Sequence, residues 1–413
     1  MPHSSRILIC SLLSTLAGCS TSLDPSLEGN SPTPEHQPSA AAAKALAVKP
    51  ATGPAAPSQN PFAGASFFVN PSYAERVLTS IDDAPEMEAA LREVAKQPTA
   101  IWLDRIAAVD RVPPALAAAA QQAAAQGQPR VPVFVVYDLP NRDCAAHASA
   151  GELRAEAEGE QRYRSEFIDV IAGEFARHPE QRIVAILEPD SLANLATNMN
   201  VPKCAESADL YKRSIAYAIA TLSLPNVYLY IDAAHTGWLG WDGNRSAMAA
   251  IYHEVLELAG GTDRIRGFAT NVSNYNALDG NWGWKLESSN PCPSEYCYVE
   301  KLNETLEAAG IRGKGFLVDT SRNGVAEART QWGHWCNIKG AGLGERPAIA
   351  PRPLVDAYYW VKPPGESDGV SDPKAPRFDE YCVSQDSAPD APQAGEWFSS
   401  YFLELVDNAN PPL

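Results

Sequence analysis

Ile183-Val-Ala-Ile-Leu-Glu-Pro-Asp-Ser-Leu192 decides the fold of this chain. Five apolar residues run into two carboxylates that bracket a proline. A run this short and this apolar suits a strand buried on both faces. Pro189 cannot donate to a sheet ladder and is expected to push Glu188 into an extended conformation. The strand therefore ends here and leaves Asp190 at its C-terminal tip. Ser191-Leu-Ala-Asn-Leu-Ala196 reads as the start of a helix over that tip. In a barrel of alternating strands and helices, such tips carry the catalytic groups.

Working outward, strand-like runs alternate with amphipathic stretches. Strands are expected at Thr99–Leu103, Val131–Tyr137, Ile183–Leu187, Val227–Asp232, Gly267–Thr270, Gly315–Asp319 and Ala357–Lys362. Helices are expected at Pro114–Gln126, from near Glu160, and at Ala208–Leu222, Ala247–Ala259, Tyr298–Ala309 and Glu396–Asp407. Near-continuous apolar strands between helices mean a parallel sheet covered by helices. The fold expected is α/β: a distorted parallel β/α barrel of about seven strands, closed or nearly closed, with its active site at the C-terminal strand ends.

The chain ends and the composition bound the function. Arg6, the apolar run Ile7–Leu16 and Leu16-Ala17-Gly18-Cys19 describe an export signal over residues 1–19. A cysteine directly after Leu-Ala-Gly is similar to a bacterial lipobox, so Cys19 is expected to carry lipid and anchor the protein at the outer membrane or cell surface; ordinary secretion is the other reading. Residues 20–58 are a Pro, Ala and Ser mixture that reads as a tether, and residues 59–413 as one catalytic barrel. The net charge is −17, from 50 acidic against 33 basic residues. That argues against nucleic acid and anionic membrane surfaces as partners and is compatible with a neutral polymer. Cys10 leaves with the signal, and the six cysteines after Cys19 favour disulfides in an exported chain, with fifteen connectivities open. Neither Cys292 and Cys297 nor the seven histidines show metal-site spacing, so no metal or other cofactor is expected.

Polar groups stand at the end of strand after strand. Asp138-Leu-Pro-Asn-Arg-Asp-Cys144, Glu188-Pro-Asp190, Asp232-Ala-Ala-His-Thr-Gly-Trp-Leu-Gly-Trp241, Asn271-Val-Ser-Asn-Tyr275, Asp319-Thr-Ser-Arg-Asn-Gly324 and Lys362-Pro-Pro-Gly-Glu-Ser-Asp-Gly369 converge on one rim. Carboxylates sharing a cleft can hold one group protonated while another stays ionised, as acid and base chemistry requires. Tryptophans beside them offer flat apolar faces to sugar rings. Together these are the makeup of a glycoside hydrolase site.

These segments resemble glycoside hydrolase family 6, the inverting cellulases. Tyr137-Asp-Leu-Pro-Asn-Arg-Asp-Cys-Ala-Ala-His-Ala-Ser-Ala-Gly151 looks like one family signature and Ile186-Leu-Glu-Pro-Asp-Ser-Leu192 like the other. Gln331-Trp-Gly-His-Trp-Cys-Asn337, Trp360-Val-Lys-Pro-Pro-Gly-Glu-Ser-Asp-Gly369 and Pro392-Gln-Ala-Gly-Glu-Trp-Phe398 extend the likeness across residues 60–413. The resemblance implies that Asp190 is the proton donor and that Asp143 raises its pKa and stabilises charge. Asp368 is the candidate base, Ser149 positions the attacking water, and Tyr137 lies beside the distorted sugar. Trp102, Trp238, Trp241 and Trp335 match sugar platforms. Asp104, His235, Asn271, Asn274, Lys362 and Glu366 match groups that bind sugar hydroxyls. The family also suggests disulfides Cys144–Cys204 and Cys336–Cys382. Cys292 and Cys297 then remain, and a small local disulfide between them is expected.

The substrate so implied is cellulose and cello-oligosaccharides, cut at β-1,4-glucosidic bonds with inversion by a protein expected to be monomeric. The length of residues 363–392 and Asp372-Pro-Lys-Ala-Pro-Arg-Phe-Asp-Glu-Tyr-Cys382 resemble exo-acting cellobiohydrolases; an open-cleft endoglucanase is the alternative. A non-catalytic glucan-binding surface protein is a distant third, opposed by the presence of all three aspartates.

Overall fold

The structure, a computed structural model, describes residue 57 and residues 59–413. The export signal, Cys19 and nearly all of the tether lie outside the described residues. Ten strands are present among them: β1 Ser66–Phe67, β2 Ile101–Leu103, β3 Arg130–Val131, β4 Val133–Val136, β5 Ile183–Leu187, β6 Val227–Asp232, β7 Gly267–Thr270, β8 Gly315–Asp319, β9 Ala348–Arg352 and β10 Val355–Tyr359.

One sheet runs β2-β4-β5-β6-β7-β8-β10-β9. Its first seven strands are parallel, and β9 lies antiparallel along the outside of β10. A single parallel bridge from Thr99 to Trp360 joins the two ends of the curl, with Ala100 N–H donating to the Trp360 carbonyl at 3.1 Å. This is the expected distorted parallel barrel, with the antiparallel β9 as an addition. The pair β1–β3 stands apart from it.

β5 shows why the sequence folds this way. All five of its side chains are fully buried. Ile183, Ala185 and Leu187 join the layer between sheet and helices, while Val184 and Ile186 join the barrel interior. A two-sided burial needs the unbroken apolar run that the sequence supplies. Each large aliphatic side chain buried this way contributes roughly 1.5–3 kcal/mol. Gly267 is required where it stands, because a Cβ there would lie 1.8 Å from the carbonyl oxygen of Gly315, its partner in β8. Helices at Val112–Gln126, Pro202–Leu222, Asp242–Leu258 and Glu295–Ala308 cover the outer face, each starting earlier than the apolar periodicity indicates.

One local expectation is overturned. Glu188 is not extended: its φ is +47°, in the left-handed region. Its carboxylate turns back to accept Asp138 N–H at 3.3 Å, Leu139 N–H at 3.1 Å and the Tyr163 hydroxyl at 2.8 Å. Three buried hydrogen bonds outweigh the local preference that the following proline sets. The helix expected from Glu160 carries a wider turn over Tyr163–Ile168, which places that tyrosine under Glu188.

Candidate active site

A cleft of about 370 Å³ opens where the strands end. Tyr137, Asp143 and Ser149 reach it from the loop after β4, Asp190 and Asn194 from the segment after β5, and His235 and Trp238 from that after β6. Val272, Ser273 and Asn274 follow β7, and Lys362 and Asp368 follow β10. The loops after β4–β7 are unusually bent for non-glycine residues, with positive φ at Asn141, Asp143, Glu188, Asp190, Ala234, Asn271 and Ser273. Such conformations persist only where the surroundings enforce them, and here they aim side chains into one space.

Arg142 organises the loop after β4. Its guanidinium donates to the carbonyls of Tyr137, Asp104 (2.7 Å) and Ser149 (2.7 Å), and lies 4.3 Å from the centre of the Tyr137 ring. That loop then closes on Asp143, whose carboxylate accepts the Tyr137 hydroxyl at 2.9 Å and Ser149 N–H at 2.7 Å. Tyr137, Asp143 and Ser149 thus arrive together, as the sequence indicates.

Asp190 begins the helix Ser191–Thr197 with φ +64° and donates its backbone N–H to Asp232 Oδ2 at 3.0 Å. Loss of solvent holds the Asp190 carboxyl well above the usual carboxylate range, followed by repulsion from Asp232, then Asp143 and Asp368. Asp232, at the tip of β6, is itself pushed up to about 7 by burial, although two backbone N–H bonds pull it down. Its Oδ1 is buried without a protein partner. Two neighbouring carboxyls deprived of water and of cations share protons rather than ionise together. Asp232 received no role from the sequence, yet it is a stronger neighbour of Asp190 than Asp143 is. Its place at a strand tip was the available signal.

Asp368 meets the opposite surroundings. Arg322, fully buried, bonds both its oxygens at 2.9 and 2.8 Å. Tyr275 hydroxyl and Asn337 N–H each add a bond at 2.9 Å, and Lys362 Nζ stands 3.8 Å away. Burial alone would raise this carboxyl, but Arg322 and then Lys362 reverse the balance and hold it below the ordinary range. Beneath it, Asp319 accepts four backbone N–H groups, from Ser273, Ser321, Val361 and Lys362, and so ties the loops after β7, β8 and β10 together.

The aromatic walls follow. Trp102, Trp238 and Trp335 line the cleft, each half-buried, and so do Trp332 and Tyr381, which carried no assigned role. His235 Nε2 pairs with Asn274 Nδ2 at 2.9 Å. Asn274 Oδ1 already accepts from Tyr275 N–H and Arg329, so the amide donates and the imidazole carries its proton on Nδ1. Burial, then Arg329, lowers His235 to about 3, which keeps it neutral.

Four expected sugar contacts do not line the cleft. Asn271 is fully buried and donates to the carbonyls of Asn276 and Asp319, so its amide is spent on the fold. Trp241 stands outside, edge-on to Trp332 at 5.3 Å. Glu366 pairs with Arg76 at 3.2 Å, and Asp104 lies near Arg105 and Arg111.

Disulfides Cys144–Cys204 and Cys336–Cys382 brace the loops after β4 and β10. Closing 60 residues of chain, the first restricts the unfolded state by about 4 kcal/mol. The expected Cys292–Cys297 bond is absent and both thiols are free. Burial holds the Cys292 thiol protonated, with the Cys297 thiol hydrogen-bonded to it, while Cys297 Sγ also reaches the Pro291 carbonyl at 3.8 Å. Across the cleft mouth, His147 N–H donates to the Asp379 carboxylate at 2.9 Å, so the loop after β4 touches the loop that carries Tyr381. Among the described residues, no group of three or more His, Cys, Asp or Glu side chains could hold a metal ion.

Comparison with known proteins places this cleft in a family. The family model for glycosyl hydrolases family 6 matches residues 62–409. Exoglucanase 3 of Agaricus bisporus is 43% identical over 86% of this chain and 80% of its own length. The 1,4-beta-D-glucan cellobiohydrolase CEL6C of Podospora anserina is 44% identical over 84% and 86% of the two chains. Among solved structures, cellobiohydrolase II (Cel6A) from Humicola insolens in complex with glucose and cellotetraose superposes with a TM-score of 0.82, at 41% identity over 86% of this chain and all of that one. The chain belongs to glycoside hydrolase family 6.

Proposed function

We propose that this protein is a cellobiohydrolase: it hydrolyses β-1,4-glucosidic bonds of cellulose and cello-oligosaccharides with inversion, working from chain ends. The observation that carries the reading is the contrast between two carboxyls of one cleft: Asp190 stands beside Asp232 and Asp143, while both oxygens of Asp368 are bonded to Arg322. Asp190 gives its proton to the departing glycosidic oxygen. Asp143, fixed by Tyr137 and Ser149, adds negative charge beside the oxocarbenium-like sugar. Ser149 holds the water that attacks from the opposite face. A carboxylate as weakly basic as Asp368 suffices to receive that water's proton, because the water becomes strongly acidic as its bond to carbon forms. Trp102, Trp238 and Trp335 stack sugar rings.

Exo action is supported by the bond from His147 to Asp379, which joins two loops that both border the cleft and so favours entry by a chain end. The named relatives agree in kind: those quoted above are an exoglucanase and cellobiohydrolases. The N-terminal signal pattern and the two disulfides support export, and Cys19 is the proposed lipid attachment.

Cellotetraose followed by proton NMR tests the reading. The wild type should release α-cellobiose first, before mutarotation. A β product would exclude inversion, and no hydrolysis at all would exclude the enzyme.

A further inference from the structure

The chain has nine tryptophans. Five belong to the cleft or its mouth (Trp102, Trp238, Trp241, Trp332 and Trp335), while Trp360 and Trp397 pack inside the fold. Trp282 and Trp284, on residues 279–294 between β7 and β8, have no use so far. Trp284 is 48% exposed, a large apolar surface for a soluble fold to leave in water. Yet its ring is held in place: Nε1 donates to the Asn290 carbonyl at 2.9 Å. Asn290 is in turn buried and bound to Thr236, the residue after His235, at 2.9 Å.

The same loop holds Trp241, whose Nε1 donates to Ser289 Oγ at 3.2 Å. The two indoles therefore hang from adjacent residues, and chain geometry keeps their nitrogens within about 15 Å, a span of a few glucose units. Trp241 in turn abuts Trp332 in the cleft wall. One edge-on contact and two hydrogen bonds to adjacent residues thus link the cleft wall at Trp332, through Trp241, to the loop that holds the exposed Trp284. Trp282 does not extend it, since Lys285 Nζ covers its ring at 4.2 Å.

We propose that Trp284 is an outermost sugar platform, on which a β-1,4-glucan chain rests outside the cleft. The proposal depends on the glucanase reading above. An immobilised ring offers the C–H face of a glucose unit an apolar contact at little entropic cost, and an uncharged polymer needs no charge at the site. Short oligosaccharides fill the cleft without reaching it; polymer chains extend past it.

The full chain is compared with Trp284→Ala, Trp284→Leu and Trp284→Phe. Adsorption to phosphoric-acid-swollen cellulose and the rate on it should fall about threefold to tenfold in the Ala and Leu variants, and stay near wild type with Phe. All variants should keep the wild-type kcat/KM on cellotetraose. Unchanged adsorption of Trp284→Ala would overturn the proposal. So would Leu equal to Phe, which would mean that bulk suffices, or an equal loss on cellotetraose, which would mean that Trp284 only supports the Trp241 loop. Adsorption reads the platform apart from turnover: an inactive wild type would mark a failure of the glucanase reading on which the proposal rests, whereas an active wild type whose adsorption does not depend on Trp284 would mark a failure of the platform alone.

Discussion

Asp190 and Asp368 face the same cleft, the first partly and the second almost wholly buried, and they are driven in opposite directions. The difference lies in their company. Around Asp190 stand Asp232 and Asp143, with no cation among the groups that shift it. Around Asp368 stand Arg322, Lys362, a tyrosine hydroxyl and a backbone N–H. Burial raises a carboxyl in either place, and the sign of the nearest charge decides whether it stays raised. Each half of the rim is also stapled by a buried carboxyl that takes no part in the chemistry: Glu188 on the first, Asp319 on the second.

The comparison can be broken from the Asp368 side with the largest effect. Arg322→Met leaves a buried carboxylate with only Lys362, 3.8 Å away, and should cost about 3–5 kcal/mol in urea denaturation. It should also move the acidic limb of the pH–rate profile upward, because Asp368 then binds its proton more readily. A loss under about 1 kcal/mol would mean that the pair behaves as a solvated one.

Asp232→Asn sharpens the other side. Activity is lost as pH rises through the raised pKa of Asp190. Removing its strongest charged neighbour should bring that alkaline limb down by about one pH unit, or about 1.4 kcal/mol. A limb that stays in place would leave desolvation alone holding the proton.

The smallest effect is on stability. Glu188 and Asp232 are raised to about 7 and Glu295 to about 8, all chiefly by burial. The folded chain then binds more protons than the unfolded one from the ordinary carboxylate range up to about pH 8, so stability falls as pH rises across that window. The melting temperature should drop by a few degrees from pH 5 to pH 8. A rise would contradict the protonated state assigned to these carboxyls.

What the sequence disclosed follows from the same physics. Strands buried on both faces announce themselves, and β5, β6, β7 and β8 have the bounds their apolar runs indicate. β9 does not, because Ala348-Ile-Ala-Pro-Arg352 is an edge strand without a buried residue that tolerates Pro351 and needs no apolar pattern. Motif residues on the cleft wall were legible by type and position. The partners that set their charge were not, since Arg322 and Asp368 lie 46 residues apart and meet only when the loops after β8 and β10 close. Asn271 shows the converse: a polar residue at a strand tip served the fold, because two buried carbonyls needed its amide.

The central claim is that Asp190 carries the proton that the leaving group needs. Its most direct test gives Asp190→Asn two substrates, cellotetraose and a cello-oligoside with a 2,4-dinitrophenyl leaving group. The first must be protonated to depart and the second need not be. The account predicts a fall in kcat of about 10²–10⁴-fold on cellotetraose and little change on the dinitrophenyl substrate. An equal loss on both would contradict it.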